Sequence, residues 1–590
     1  MSDKDKDLDE IVKKYISKKK TVSAAATKER AASQKETKPV SDGRAASQKE
    51  TKPVPDGRAA SKKETKPVLE GRAASKKEPK PVPEDDEFFT ESADVHLEKK
   101  EIEDLARNAV KAVTGGKVAP RRKPRRIATA TDEPICKGYI YFDNNATTLP
   151  CEQAIAAQTT WSRCFNASTS SSAAAPARKI LEKSVNDLLS HCGVNTISHT
   201  AIFTSGASES NSFVINACIK AYKKSLKENA AERKPHLIIS ETEHSSIIKC
   251  ADNLERLGEA TVTKLRPTIY GNILPADVEQ AIQINTCLIS VMFANNELPL
   301  INNLNEIVEI AQRHGIPVHS DCVQIFGKFK INLKQLPVAA ISISFHKFYG
   351  PKGVGACILR NDLIEGYGIC AEIPGTQQNE LRGGTENIAG IAGGMAALAY
   401  AHKNRKEKNA HLFELRDYLL SELAARFVFN DYSAYLHDDL DRSALAKVYT
   451  EALDDIAVTA KRAAPRRSYE KGELEIVSLG PPAAQKQFIL PNTVLLSVCK
   501  NVGAPFCNVQ LKDFLDKKKC IVSIGAACLT NSDKASHVVM AIGAPPVVRR
   551  GIIRVSFQDG NTKREINQFV KALEQGINAQ CGDIEMAAAS

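Results

Sequence analysis

From about Cys136 onward, short apolar runs alternate with longer segments whose apolar residues recur at intervals near 3.6. The runs are Ala201-Ile-Phe-Thr, His236-Leu-Ile-Ile-Ser, Cys287-Leu-Ile-Ser-Val-Met-Phe, Ile316-Pro-Val-His-Ser-Asp and Ala340-Ile-Ser-Ile-Ser-Phe; Leu304-Asn-Glu-Ile-Val-Glu-Ile-Ala-Gln-Arg typifies the segments between them. Strands that alternate with helices predict an α/β body built on a mostly parallel sheet. Further on, Phe488-Ile-Leu-Pro-Asn-Thr-Val-Leu-Leu-Ser-Val reads as another strand. The stretch Thr562 to Ile577 reads as a closing amphipathic helix capped by Asn561 or Thr562.

The remaining chain is of a different texture. Between Arg30 and Glu84 a 14-residue unit recurs four times, beginning at Arg30, Arg44, Arg58 and Arg72. Its apolar residues are Ala and Val, with a single Leu69 in the third copy, and each copy carries Pro after Lys, which excludes a buried coiled-coil seam and predicts a disordered, partly extended tether. An acidic patch at Glu84–Glu87, an expected helix near Ala93–Val113 and the cluster Arg121-Arg122-Lys123-Pro-Arg125-Arg126 come next. A solvated linker run is the commoner meaning of such a cluster; a nuclear-import signal or a nucleic-acid contact is the alternative. The first 135 residues hold 32 basic against 25 acidic side chains, so much of the chain's net +11 belongs to the tail. The expected organisation is a tail over residues 1–135, a large domain over 136–395 whose first residues join the smaller one, and a small α/β domain over 396–590. An insertion or long surface loop is expected near 431–487.

A chain of 590 residues with 42% apolar composition can bury a substantial core. No run approaches the roughly 20 apolar residues that span a bilayer, and the charged N-terminus lacks a secretory pattern, so no membrane role and an intracellular, cytoplasmic location are expected. Fifteen cysteines without metal-type pairing are expected to be mostly reduced and buried, with no metal site.

In open α/β sheets ligands bind beyond the carboxyl ends of the strands, so polar residues just past each apolar run carry the functional reading. After Ile341-Ser-Ile-Ser344-Phe come His346, Lys347 and a Gly-Pro-Lys-Gly turn, a setting suited to holding an aldehyde cofactor as an imine. Asp321 ends the preceding strand, where a carboxylate can pair with a protonated pyridine nitrogen. Ser205-Gly206-Ala207-Ser208 opens a helix, where unpaired N–H groups and the helix dipole favour a phosphate. His244 and Asn296 close two further strands. Any one of these residues alone is more commonly a cap, a turn or an ordinary polar side chain; together they form a set.

Their order, with 25 residues from Asn296 to Asp321 and 26 from Asp321 to Lys347, resembles the NifS-like cysteine desulfurases of the class V aminotransferase group, from about Tyr141 to Phe569. The resemblance implies a fold-type-I pyridoxal-phosphate-dependent transferase and a homodimer. It implies Lys347 as the Schiff-base lysine, Asp321 at the pyridine nitrogen, Asn296 and Gln324 near the ring hydroxyl, and His244 stacked on the ring. It also implies phosphate contacts from Ala207, Ser208, Ser344 and His346, with Thr385 of Leu381–Asn387 reaching over from the other subunit. The opening segment Tyr141-Phe-Asp-Asn-Asn-Ala-Thr-Thr148 and the strand Ile553-Arg554-Val-Ser match as well, and imply that Arg554 grips the substrate carboxylate, together with Asn296.

The segment Val522 to His537 resembles the mobile cysteine-bearing loop of the desulfurases and singles out Cys528 among the fifteen cysteines. The resemblance implies conversion of L-cysteine to L-alanine with sulfur left as a persulfide on Cys528 for an acceptor protein, an iron–sulfur scaffold being one candidate. Lys347 would move the Cα proton and His244 would assist protonation. Two alternatives stay open: a selenocysteine lyase or another β-eliminating enzyme on the same scaffold, and a catalytically weak scaffold protein acting through its repeat tail. The chain departs from the family's pattern at Phe345, Ser208, Pro299 and Leu529-Thr530; a bulky ring or a locked φ beside the pocket is expected to disturb the cofactor.

Overall fold

The computed structural model describes residues 137–226, 233–432, 474–482, 485–500, 506–524 and 536–589, all within one unit, Arg125–Ser590. The repeats, the acidic patch, the helix expected near Ala93–Val113, the basic cluster at 121–126 and Cys528 lie outside the described residues, as does most of the 431–487 region.

Strand β1 (Ile140–Tyr141) opens the body. The main sheet holds seven strands: β2 (His199–Thr204), β3 (His236–Ser240), β4 (Thr261–Leu265), β5 (Thr286–Ser290), β6 (Val318–Asp321), β7 (Ala340–Ser344) and β8 (Gly355–Arg360). Their spatial order is β2-β8-β7-β6-β5-β3-β4. The pairs from β4 through β7 are parallel, and β8 lies antiparallel between β7 and β2. Apart from β4 the strands are almost wholly buried, because helices cover both faces, and one apolar cluster lies on each side of the sheet. Beyond the last assigned residue of β5, Val291 and Phe293 still donate N–H bonds to His319 and Asp321 carbonyls (3.2 and 3.0 Å). The apolar run Cys287–Phe293 therefore keeps strand-like pairing over its length.

A second sheet has the order β13-β11-β10-β9, formed by β9 (Val428–Asp431), β10 (Leu474–Leu479), β11 (Thr493–Lys500) and β13 (Ile552–Ser556), while β12 (Cys520–Ile521) pairs with β1. Phe142, just past β1, packs in this sheet's core against Phe557 and Phe569. The closing helix runs Lys563–Ala589, with Thr562 Oγ1 accepting from Glu565 N–H and Glu565 Oε2 accepting from Thr562 N–H, a reciprocal capping box.

Two sequence expectations need correction. The 431–487 region is not wholly loop: β10 is an interior strand of the second sheet. Its short apolar run, preceded by Lys471-Gly-Glu and followed by Gly480-Pro-Pro, was masked by polar and turn-forming neighbours. Nor does the body divide at 395, because helix Ile388–His402 runs across that position and seats Leu398 and Ala401 in the main sheet's core. The next helix, Arg405–Arg426, gives Leu412, Leu415, Leu419 and Leu423 to the second core.

Candidate active site

The carboxyl edge of the parallel strands gathers most of the residues singled out from the sequence. Asp321 ends β6 and is 3% exposed; its Oδ1 accepts from Val323 N–H (2.9 Å) and its Oδ2 from Asn211 Nδ2 (2.8 Å). Lys347 ends a short 3-10 turn after β7, and its Nζ donates to the carbonyls of Asn145 (2.6 Å) and Ala146 (2.8 Å). Burial is the main force lowering the Lys347 pKa to about 8, aided by the Arg554 charge and opposed by Asp321 and Asp143. An amine with so low a pKa is neutral often enough to act as a nucleophile.

Asn145 is the hub the sequence reading missed. Its carbonyl accepts from Lys347 and from Gln324 Nε2 (3.1 Å), while its amide nitrogen donates to the Asn296 carbonyl (3.2 Å) and to Thr493 Oγ1 (2.8 Å). The only signal for it was its place in the opening Asp-Asn-Asn segment. Arg554, on β13, donates from Nη1 to the Asn296 carbonyl (2.8 Å) and from Nη2 to Asp143 Oδ1 (2.6 Å). The second sheet thus reaches into the edge of the first.

The helix Ala207–Ser225 starts just past β2. Gly206 holds φ 156° there, and a side chain on Gly355, the first residue of β8, would meet Gly206 Cα at 2.6 Å, so both positions need glycine for the loop to lie against the sheet. Ala207 N–H donates to Ser344 Oγ (2.8 Å), joining two of the expected phosphate ligands. Ser208 is exposed at the same helix start. His346 Nδ1 lies 3.2 Å from Thr147 Oγ1; burial first, then the Lys347 and Lys352 charges, lower its pKa to about 4, so the ring is neutral at ordinary pH. Thr385 stands apart, exposed on the loop before helix Ile388–His402. That loop is tied to the Ala207 helix by Arg382, whose guanidinium pairs with Glu209 (2.9 Å). Burial alone would raise the Glu209 pKa, but bonds from Arg382 and Ser205 outweigh it and lower it.

His244 follows β3 and caps the helix Ser245–Arg256. Burial lowers its pKa, Asp321 opposes, and Lys347 and His537 add to the lowering. Lys328 is a second buried amine absent from the sequence reading. Its Nζ donates to the Gln324 carbonyl (2.9 Å), and burial, then Lys347, bring its pKa to about 7.

The two bulky departures each face a glycine. Phe345 is fully buried in the core, packed on Phe348 at 5.3 Å between centroids, and a Cβ at Gly394 would lie 2.7 Å from its ring. Pro299 abuts Gly480, where a Cβ would come within 2.5 Å of the proline ring. The Phe345 ring is therefore housed away from the polar edge, in space that helix Ile388–His402 yields by carrying Gly394.

A pyridoxal phosphate can be tested against these residues. Asn296 Oδ1, Gln324 Oε1 and Arg554 Nε are all buried without a protein partner, an arrangement that calls for a polar guest. They adjoin Asp321 and Lys347, so the donors and acceptors present fit the group. Among the described residues no cluster of three or more His, Cys, Asp or Glu is placed to hold a metal ion, and no helix is long and apolar enough to cross a membrane.

Comparison with known proteins agrees with this geometry. Residues 140–452 match the aminotransferase class-V family model, and the chain belongs to that family of pyridoxal-phosphate-dependent enzymes. Its similarity extends to the NifS-like cysteine desulfurases. It is 31% identical over 384 residues to the cysteine desulfurase IscS of Dictyoglomus turgidum, covering 64% of this chain and 78% of the relative. It is 28% identical over 472 residues to the selenocysteine lyase of Bos taurus, covering 74% and 93%. A solved NifS-like protein shares the fold at TM-score 0.58 and 24% identity, over 75% of this chain and 99% of that one.

Proposed function

We propose that this protein is a pyridoxal-phosphate-dependent cysteine desulfurase that converts L-cysteine to L-alanine and leaves the sulfur on Cys528. The observation that carries the reading is the convergence of Lys347, Asp321, His244 and Arg554 on one sheet edge with three unmatched buried polar atoms among them.

Lys347 would hold the cofactor, Asp321 would face its pyridine nitrogen, Asn296 and Gln324 its ring hydroxyl, and Ala207, Ser208, Ser344 and His346 its phosphate, with Thr385 donated across a homodimer. Bound there, the cofactor supplies an electron sink for the Cα carbanion. Arg554 orients the cysteine carboxylate through its remaining guanidinium hydrogens. Lys347, with a pKa near the working pH, takes the Cα proton, and His244 returns one during alanine formation. Cys528, four residues past Ile524 and outside the described residues, attacks the substrate sulfur as a thiolate. Its S–S bond forms as the substrate C–S bond breaks, and the persulfide is then passed to an acceptor protein. Incubation of the purified chain with pyridoxal phosphate and cysteine should yield alanine and a sulfur adduct mapped to Cys528. Absence of both sinks the proposal.

The selenocysteine lyase relative, matched over 93% of its length, supports a second reading. Cys528→Ala separates the two: sulfur release from cysteine collapses under the first, while elimination from selenocysteine persists under the second.

A further inference from the structure

The helix Ser245–Arg256 is capped by an imidazole. His244 Nδ1 accepts from Ser246 N–H at 3.2 Å. A backbone N–H only donates, so Nδ1 presents its lone pair and the ring proton of the neutral imidazole sits on Nε2. Ser246 Oγ lies 2.8 Å from the same Nδ1 and must therefore donate its own proton. That hydroxyl oxygen in turn accepts from Asn211 Nδ2 at 3.0 Å, and the same amide nitrogen donates to Asp321 Oδ2 at 2.8 Å. Both N–H bonds of Asn211 are thus committed, while its buried Oδ1 is left without a partner. The reversed amide would turn oxygen toward the Asp321 carboxylate, so the charge fixes the amide's direction and leaves that oxygen unmatched.

We propose that Asn211 and Ser246 are positioning residues that hold His244 as the Nε2–H imidazole in one orientation and lock that orientation to Asp321. Neither is assigned a contact with substrate. The significance for turnover rests on the roles proposed for His244 and Asp321, since a donor at Nδ1 fixes both the ring's orientation and the place of its proton on Nε2. The titratable groups facing His244 are Asp321 at the end of β6, Lys347 after β7 and His537 at the start of helix His537–Ala541, with Glu243 beside it in the chain. Burial, aided by the Asp321 charge, raises the Glu243 pKa, and the bond from Met292 N–H to its Oε1 (2.7 Å) opposes this. All four are unchanged by substitutions at Ser246, so such substitutions read the hydroxyl.

The test uses the full chain labelled with 15N-histidine, with His244→Gln identifying the His244 signals. The wild type should show an acceptor-type Nδ1 and a donor-type Nε2. Donation to Nδ1 favours the neutral ring, so Ser246→Ala, which keeps the backbone N–H but removes the hydroxyl, should raise the ring's titration midpoint by at least about half a unit. Ser246→Thr, which keeps the hydroxyl, should restore the wild-type midpoint. Asn211→Ala should shift the midpoint the same way although it does not touch the ring. A protonated Nδ1 in the wild type, an unchanged midpoint in Ser246→Ala, or no restoration by Ser246→Thr would overturn the proposal. Failure of the desulfurase reading would appear separately, as wild-type protein that makes no alanine while these spectra stand.

Discussion

Arg554 and Asp143 form an ion pair of 2.6 Å across the junction of the two sheets, with side chains 7% and 19% exposed. Asp143 follows β1, which belongs with the second sheet's core, while Arg554 also grips the Asn296 carbonyl of the first. The pair therefore both aims the guanidinium and closes the seam. Arg554→Lys keeps the charge but loses the planar fork, and should raise the KM for cysteine about tenfold with a smaller change in kcat. Asp143→Asn should cost about 1–3 kcal/mol of stability, read as a lower melting temperature.

The low pKa of Lys347 makes cofactor uptake pH-dependent. Imine formation needs the neutral amine, so the rate of pyridoxal phosphate incorporation into the bare protein should rise as pH passes through about 8 and level off above it. Because the Arg554 charge contributes to the lowering, Arg554→Gln should move this midpoint upward. Stopped-flow absorbance over roughly pH 6 to 10 would measure both.

Phe345 and Gly394 should behave as a coupled pair. Phe345→Ala should cost about 3–5 kcal/mol by leaving a cavity, and Gly394→Ala should destabilise by forcing a methyl against the ring. In the double variant the methyl partly fills the space vacated, so the combined loss should fall short of the sum; thermal melts of the four proteins give the coupling.

Gly480 holds φ +124° and presses on Pro299. Gly480→Ala should therefore destabilise by more than about 1 kcal/mol, whereas the same change at exposed Gly368, whose added Cβ would meet open space, brings only the strain of its own φ of +72°. Denaturation of the two variants side by side separates contact from backbone strain.

Strands β3, β5, β6 and β7 were legible because each is a short apolar run ended by a polar residue, and those endings also exposed Asp321, His244 and Lys347. β8 escaped because Gly355-Ala-Cys-Ile-Leu-Arg follows directly on the glycine-rich turn after Lys347. β4 escaped because Thr261–Leu265 is an edge strand with little burial outside Leu265. Asn145, Asn211 and Lys328 were beyond reach for another reason. Each acts through partners roughly 35 to 350 residues away or through burial, and neither property leaves a periodic trace in the chain.

The fit of Phe345 against Gly394 also limits what each position can exchange for. With both in place, neither can gain or lose bulk alone without penalty, so a change at one is tolerated only with a compensating change at the other.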